Sequence, residues 1–170
     1  MSADAPSRDN CYWHRRYGGR HFLAVILAGA MTVAVSVAGA PRAVADLTDS
    51  LRYAVFQARS GSACPPLRSD PLADQTAALA AHSTATYLEH NARAVPMSDP
   101  LPTLKDLGLD VGKAKLLQGA GQTEADAIKA ILVTGYKDLP DCSYTAYGIS
   151  TLPNENSDGW FLTAVVLAGA

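Results

Sequence analysis

The sequence predicts an α+β fold, a three-layer α-β-α sandwich with a small, mainly antiparallel central sheet. Three observations carry this reading. Trp160 to Leu167, WFLTAVVL, is apolar on both faces, short, rich in β-formers and bounded by turn residues, so it reads as a strand that needs cover above and below. Tyr144 to Thr151 alternates, with two aromatic rings and a β-branched set, and leads into it through the polar, turn-rich Pro153 to Gly159; the pair reads as a central hairpin. Several helical stretches come earlier in the chain and can supply both covering layers.

The chain begins with a segment that is not expected to fold with the rest. Phe22 to Ala40 carries no charge, follows Arg8, Arg15, Arg16 and Arg20, and is followed by Ala43-Val44-Ala45 and then Asp46. A basic start, an apolar run and a small-x-small site describe a secretory signal peptide, residues 1–45, with an n-region over 1–21, an h-region over 22–40 and cleavage after Ala45. The run is also about long enough to cross a bilayer, so an exported protein anchored by an uncleaved helix is the alternative. Its Ala and Gly content and the cleavage-like triplet favour removal. Arg15-Arg16 hints at the twin-arginine route, although Tyr-Gly-Gly follows it. One domain of about 125 residues, 46–170, is then expected.

Asp46 to Ser60 places Leu47, Leu51, Ala54, Val55 and Ala58 at helical steps, with Gly61 as the stop. Cys64-Pro65-Pro66 excludes a helix from Gly61 to Ser69, which reads as an extended loop. Asp70-Pro71 opens a second helix, with Asp70 as cap and Pro71 in the first turn. It is expected to run to about His90 with Leu72, Thr76, Leu79, Ser83, Thr86 and His90 on one face and Leu79 central. Leu101, Leu104 and Leu107 suggest one or two helical turns that end at Gly108. Lys113 to Gln118 reads as a short edge strand and Gly119-Ala120-Gly121 as a flexible joint. Thr123 caps a helix whose buried stripe is Ile128, Ile131 and Leu132, stopped by Gly135.

Composition narrows the function. Removing the five basic and two acidic residues before Asp46 leaves 9 basic against 14 acidic side chains, a net charge of −5. That balance opposes nucleic acid and anionic membrane surfaces as partners; contact with a membrane is expected only through the N-terminal segment before cleavage. Cys11 is lost with the leader. Cys64 and Cys142 remain, an even pair in an oxidising compartment, and are expected to form a disulfide. They are too far apart for a CxxC motif, and no His cluster joins them.

Three segments resemble the CAP superfamily, the cysteine-rich secretory, antigen 5 and pathogenesis-related 1 domain, in its short exported bacterial form. Leu72 to His90, LADQTAALAAHSTATYLEH, is similar to the family helix with a His-small pair in its middle and a His at its end. Thr123 to Tyr136 resembles the helix that leads to the family's Gly-His. SYTAYGIS, Ser143 to Ser150, is similar to its aromatic-Thr-x-x-Gly-Val strand. The resemblance implies a cleft of two His and two Glu able to hold a divalent cation. His90 fits the first His. Leu117-Gln118-Gly119 stands where Gly-Glu-Asn is expected, Tyr136 follows Gly135 where the second His belongs, and Ile131-Leu132-Val133 replaces Trp-x-x-Glu. One imidazole cannot close a metal site, so neither a bound metal nor a cofactor is expected.

The residue chemistry is sparse elsewhere. His82 and His90 lie about 80° apart around a helix axis and do not form an i, i+4 ligand pair. Ser83, Ser98 and Ser143 sit in no nucleophile elbow. Asp138 and Asp141 read as solvated charge, and Tyr136, Tyr144 and Tyr147 as core rings or the lining of a groove. Two classes remain. One is a secreted, non-catalytic module that binds a lipid, an apolar small molecule or a protein through a degenerate cleft at His90 and Tyr136. The other is an extracellular hydrolase or metal-dependent enzyme using that cleft.

Overall fold

The computed structural model describes residues 42–154 and 159–170; residues 1–41 of the expected leader and most of the turn after Asn154 lie outside them. The described chain folds as helix α1 (Arg42–Ser60), strand β1 (Arg68–Ser69), α2 (Pro71–Leu88), α3 (Leu101–Asp106), β2 (Lys113–Gly121), α4 (Glu124–Thr134), β3 (Tyr144–Asn154) and β4 (Trp160–Gly169). The sheet has the order β1-β3-β4-β2. β3 and β4 form the antiparallel central pair, β2 lies antiparallel to β4, and β1 lies parallel to β3.

The predicted sandwich is what forms. Leu162 to Gly169 of β4 are all buried, and alternate residues serve opposite layers. Val165 and Leu167 pack with Leu51 and Val55 of α1 and Ile131 of α4. Ala164, Val166 and Ala168 pack with Ala73, Ala77 and Ala81 of α2 and with Leu104 of α3. The sheet therefore separates α1 and α4 from α2 and α3.

α2 keeps its expected start. Asp70 Oδ1 accepts from Leu72 N at 2.9 Å, which satisfies a free first-turn amide. The face it buries differs from the leucine face expected. Ala73, Thr76, Ala77, Ala80 and Ala81 are buried, whereas Leu79 is 45% exposed. Closeness decides this. The helix lies so near β3 that a Cβ on Gly148 would stand 2.0 Å from the Ala73 carbonyl carbon. Asp74 Oδ1 also accepts from Ile149 N at 2.7 Å. Only a small-residue face permits that approach.

Gly119-Ala120-Gly121 corrects in the same way. It is no joint but the end of β2, in unbroken register with β4. A Cβ at Gly119 would meet Ala127 O at 2.6 Å, and one at Gly121 would meet Ala127 N at 2.5 Å; the glycines admit α4. The two-residue β1 falls inside the segment expected to be loop. α1 extends to Arg42, four residues before Asp46.

Candidate functional site

Three groupings of polar or chemistry-bearing side chains are candidates, and their geometry sorts them.

The first surrounds the disulfide. Cys64 and Cys142 are bonded, with Cα atoms 5.1 Å apart. Beside them lies Arg59, a residue the sequence reading did not single out. It is 2% exposed. Its Nε donates to Pro65 O at 2.8 Å, Nη1 to Leu139 O and Asp141 O at 2.9 and 2.7 Å, and Nη2 to Tyr144 O at 2.8 Å. Burial lowers its pKa and the Asp141 charge opposes that shift, but a guanidinium stays protonated in proteins. A signal was present: Leu47, Leu51, Val55 and Arg59 repeat every four residues, so the cation continues the buried stripe. All four acceptors are backbone carbonyls of the loops it gathers, so this group holds structure.

The second has the side chains of a Ser–Lys pair. Lys113 Nζ donates to Ser143 Oγ and, at 3.1 Å, to Asp141 Oδ2, while Ser143 Oγ donates to Asp141 Oδ1 at 2.6 Å. Lys113 also lies 3.9 Å from the Tyr144 ring centroid. A nucleophilic serine needs a base near its working pH. Asp141 is held down to about 2, first by the Ser143 hydroxyl and amide and then by Lys113. Lys113 is pushed up, chiefly by its bond to Asp141. Neither accepts a proton readily, and the cluster is an ion-pair network. Because the folded Asp141 pKa lies below its unfolded value, its stabilisation is complete above about pH 4 and lost as pH falls through about 2. Urea unfolding at stepped pH is therefore expected to show wild type losing its advantage over Asp141→Asn across that window. A difference that stays constant from pH 5 to 2 would exclude this role.

The two residues of the expected cleft follow different helices. His90 follows α2, exposed, with a left-handed φ of 58°. Tyr136 follows α4 and is 64% exposed. The helices they follow, α2 and α4, pack on opposite faces of the sheet. α4 is seated on the Gly119 and Gly121 side of β2. His82 is exposed on α2. Tyr144 and Tyr147 are core rings. Among the described residues, no three His, Cys, Asp or Glu side chains are grouped to hold a metal ion.

The third grouping is a cavity of about 160 Å³ on the α2 side of the sheet, lined by Ala81, Thr84, Leu88, Gln118, Ala120 and Leu162, with Gly119 and Thr163 completing the wall. Small residues at 81, 119 and 120 leave the space. Gln118, at the position where the resemblance expects a Glu, donates from Nε2 to Thr84 Oγ1 at 2.7 Å, and Thr84 Oγ1 donates to Ala80 O at 3.1 Å. Leu88 is 48% exposed at the rim. Trp160, 39% exposed, stands two residues before Leu162 and so on the same face of β4. The site is an apolar hole with one fixed amide and one fixed hydroxyl, the make-up of a small-molecule pocket.

No protein-family model matches the sequence, and no curated protein matches it. Among the solved structures that share its fold are two from bacteria. An outer surface protein from Borrelia burgdorferi superposes with a TM-score of 0.56 at 14% identity, over 73% of this chain and 92% of that one. A cysteine-rich secretory protein from Staphylococcus aureus superposes with a TM-score of 0.54 at 12% identity, over 77% of this chain. This chain spans about 40% of the length of the latter. The fold is thus CAP-like.

Proposed function

We propose that residues 46–170 form an exported, non-catalytic CAP-like domain, released by cleavage after Ala45, that binds the apolar end of a ligand in the cavity beneath Leu88. The observation that carries this reading is the cavity lining, apolar apart from the tethered Gln118–Thr84 pair. Its polar groups suit holding a ligand in one orientation and offer no activated nucleophile. Both fold neighbours have names that place them outside the cytoplasm, as a surface protein and a secretory protein. Among the described residues, no helix is long and apolar enough to cross a membrane.

The pocket is open to solvent at its Leu88 and Ala120 rim, and its volume of about 160 Å³ leaves room for a benzene-sized group, which fits an enclosed apolar protein cavity of about 150 Å³. Methyl NMR is expected to show saturable shifts of Leu88 and Leu162 on titration with benzene, with a Kd of about 1 mM, equivalent to ~−4 kcal/mol. Ala120→Leu, which fills the hole from its rim, is expected to remove them. Linear, unsaturable shifts in both proteins would sink the reading. Release after Ala45 is tested separately by N-terminal sequencing of the protein from the medium.

A further inference from the structure

The hydrogen bonds in the wall of the cavity under Leu88 fix which polar atoms remain for a ligand. The Ala80 carbonyl can only accept, so the hydroxyl hydrogen of Thr84 is committed to it, at 3.1 Å. Toward Gln118 the Thr84 oxygen is then an acceptor, and the amide atom 2.7 Å from it must be the nitrogen. This sets the flip of the amide and turns Gln118 Oε1 away from Thr84. No donor to Oε1 is found among the described residues. Among those residues, no buried side-chain nitrogen or oxygen lacks a partner. On half-buried Gln118 the unpaired oxygen is therefore accessible to an incoming molecule. The other hydroxyl of the lining, Thr163 Oγ1, donates to Gly119 O at 3.1 Å, so its hydrogen is committed too. No residue of the lining is ionisable. What the wall offers is an apolar surface and one neutral acceptor of fixed direction.

We infer that the cavity takes a neutral, phenol-sized molecule whose hydroxyl donates to Gln118 Oε1 while its ring lies against Ala81, Leu88 and Leu162. The inference rests on the cavity reading above and names the polar end of its ligand. The lining excludes an ionised head: a carboxylate or ammonium leaving water here meets no counter-ion, and burying an unpaired ion costs far more than burying a bonded hydroxyl. An ether or a ketone has no hydrogen to give and would leave Oε1 unpaired. A hydroxyl pairs with it and orients the ring. Size sets the rest, since about 160 Å³ holds one ring and little more.

The probes are phenol, benzene and benzoate, each titrated into the exported protein near pH 7, where phenol is neutral and benzoate ionised. The Leu88 and Leu162 methyls are followed by NMR. Phenol is expected to bind about two- to tenfold tighter than benzene, the gain from one neutral hydrogen bond. In Gln118→Met the order is expected to reverse, with phenol about fivefold or more weaker than benzene, because its hydroxyl is buried without a partner. Benzoate is expected to give no saturable shift at the concentration that saturates phenol. Phenol bound no tighter than benzene by wild type would overturn the inference and spare the cavity reading. So would a preference for phenol that survives in Gln118→Met. Saturable binding of benzoate would overturn the neutral head. Shifts that fail to saturate with benzene and phenol alike would remove the inference and the cavity reading together. Should Gln118→Met fail to fold, the ratio of phenol to benzene in wild type decides the question by itself.

Discussion

Replacing Arg59 with methionine is expected to cost about 2–4 kcal/mol, because buried carbonyls lose the charged donor that satisfied them. Methionine matches the apolar stem of arginine and keeps the contacts of the α1 stripe, so the loss isolates the guanidinium. Four carbonyls, from Pro65, Leu139, Asp141 and Tyr144, each lose a donor at 2.7 to 2.9 Å. Those of Leu139 and Tyr144 receive it in a buried setting. A buried acceptor left without a partner costs about 1–3 kcal/mol, and such terms do not add fully within one network. Lysine restores the charge but not the planar fork that reaches several acceptors at once, so Arg59→Lys is expected to fall between wild type and Arg59→Met. In a domain of this size the methionine variant should melt about 10–20 °C lower. A loss below about 1 kcal/mol would mean that water replaces the guanidinium and that the loops do not depend on it.

Arg59 also shows where the sequence stops being legible. The architecture can be read because its signals are local and repeated: the two-sided apolar run of β4, the alternation of β3, the Asp70 and Thr123 caps and the Gly135 stop all act within a few residues of themselves. Thr123 Oγ1 does accept from Asp126 N, at 3.1 Å. The buried face of α2 is harder to read, because hydropathy ranks Leu79 above alanine. The deciding fact is the approach of a distant glycine, Gly148, to the helix backbone. Gly119 and Gly121 mislead for the same reason: flexibility is a property of the isolated residues, whereas their use is to admit Ala127. His90 and Tyr136 each sit after a helix, as expected, but which side of the sheet a helix covers is a long-range choice that motif order does not contain. Gln118 is the informative remnant. It occupies the position where a carboxylate was sought and faces the cavity with its amide tied to Thr84.

Removing the disulfide, by Cys64→Ser with Cys142→Ser, is expected to cost about 2–4 kcal/mol. The bridge spans 78 residues, and closing a loop of that length in the unfolded chain sets an upper estimate of about 4.5 kcal/mol in the chain-entropy account. The loss should be less than additive with that of Arg59→Met. The bridge and the guanidinium join the same two loops: Cys64 precedes Pro65, and Cys142 follows Asp141. With the bridge intact, the carbonyls orphaned by Arg59→Met are pinned together and kept from water. Without it, the loops can part and hydrate them, so the second change costs less than the first. A double-mutant cycle by urea unfolding is expected to give a combined loss about 1 kcal/mol or more below the sum of the separate ones. Additivity to within ~0.3 kcal/mol would show that the covalent bond and the buried cation stabilise independent parts of the fold.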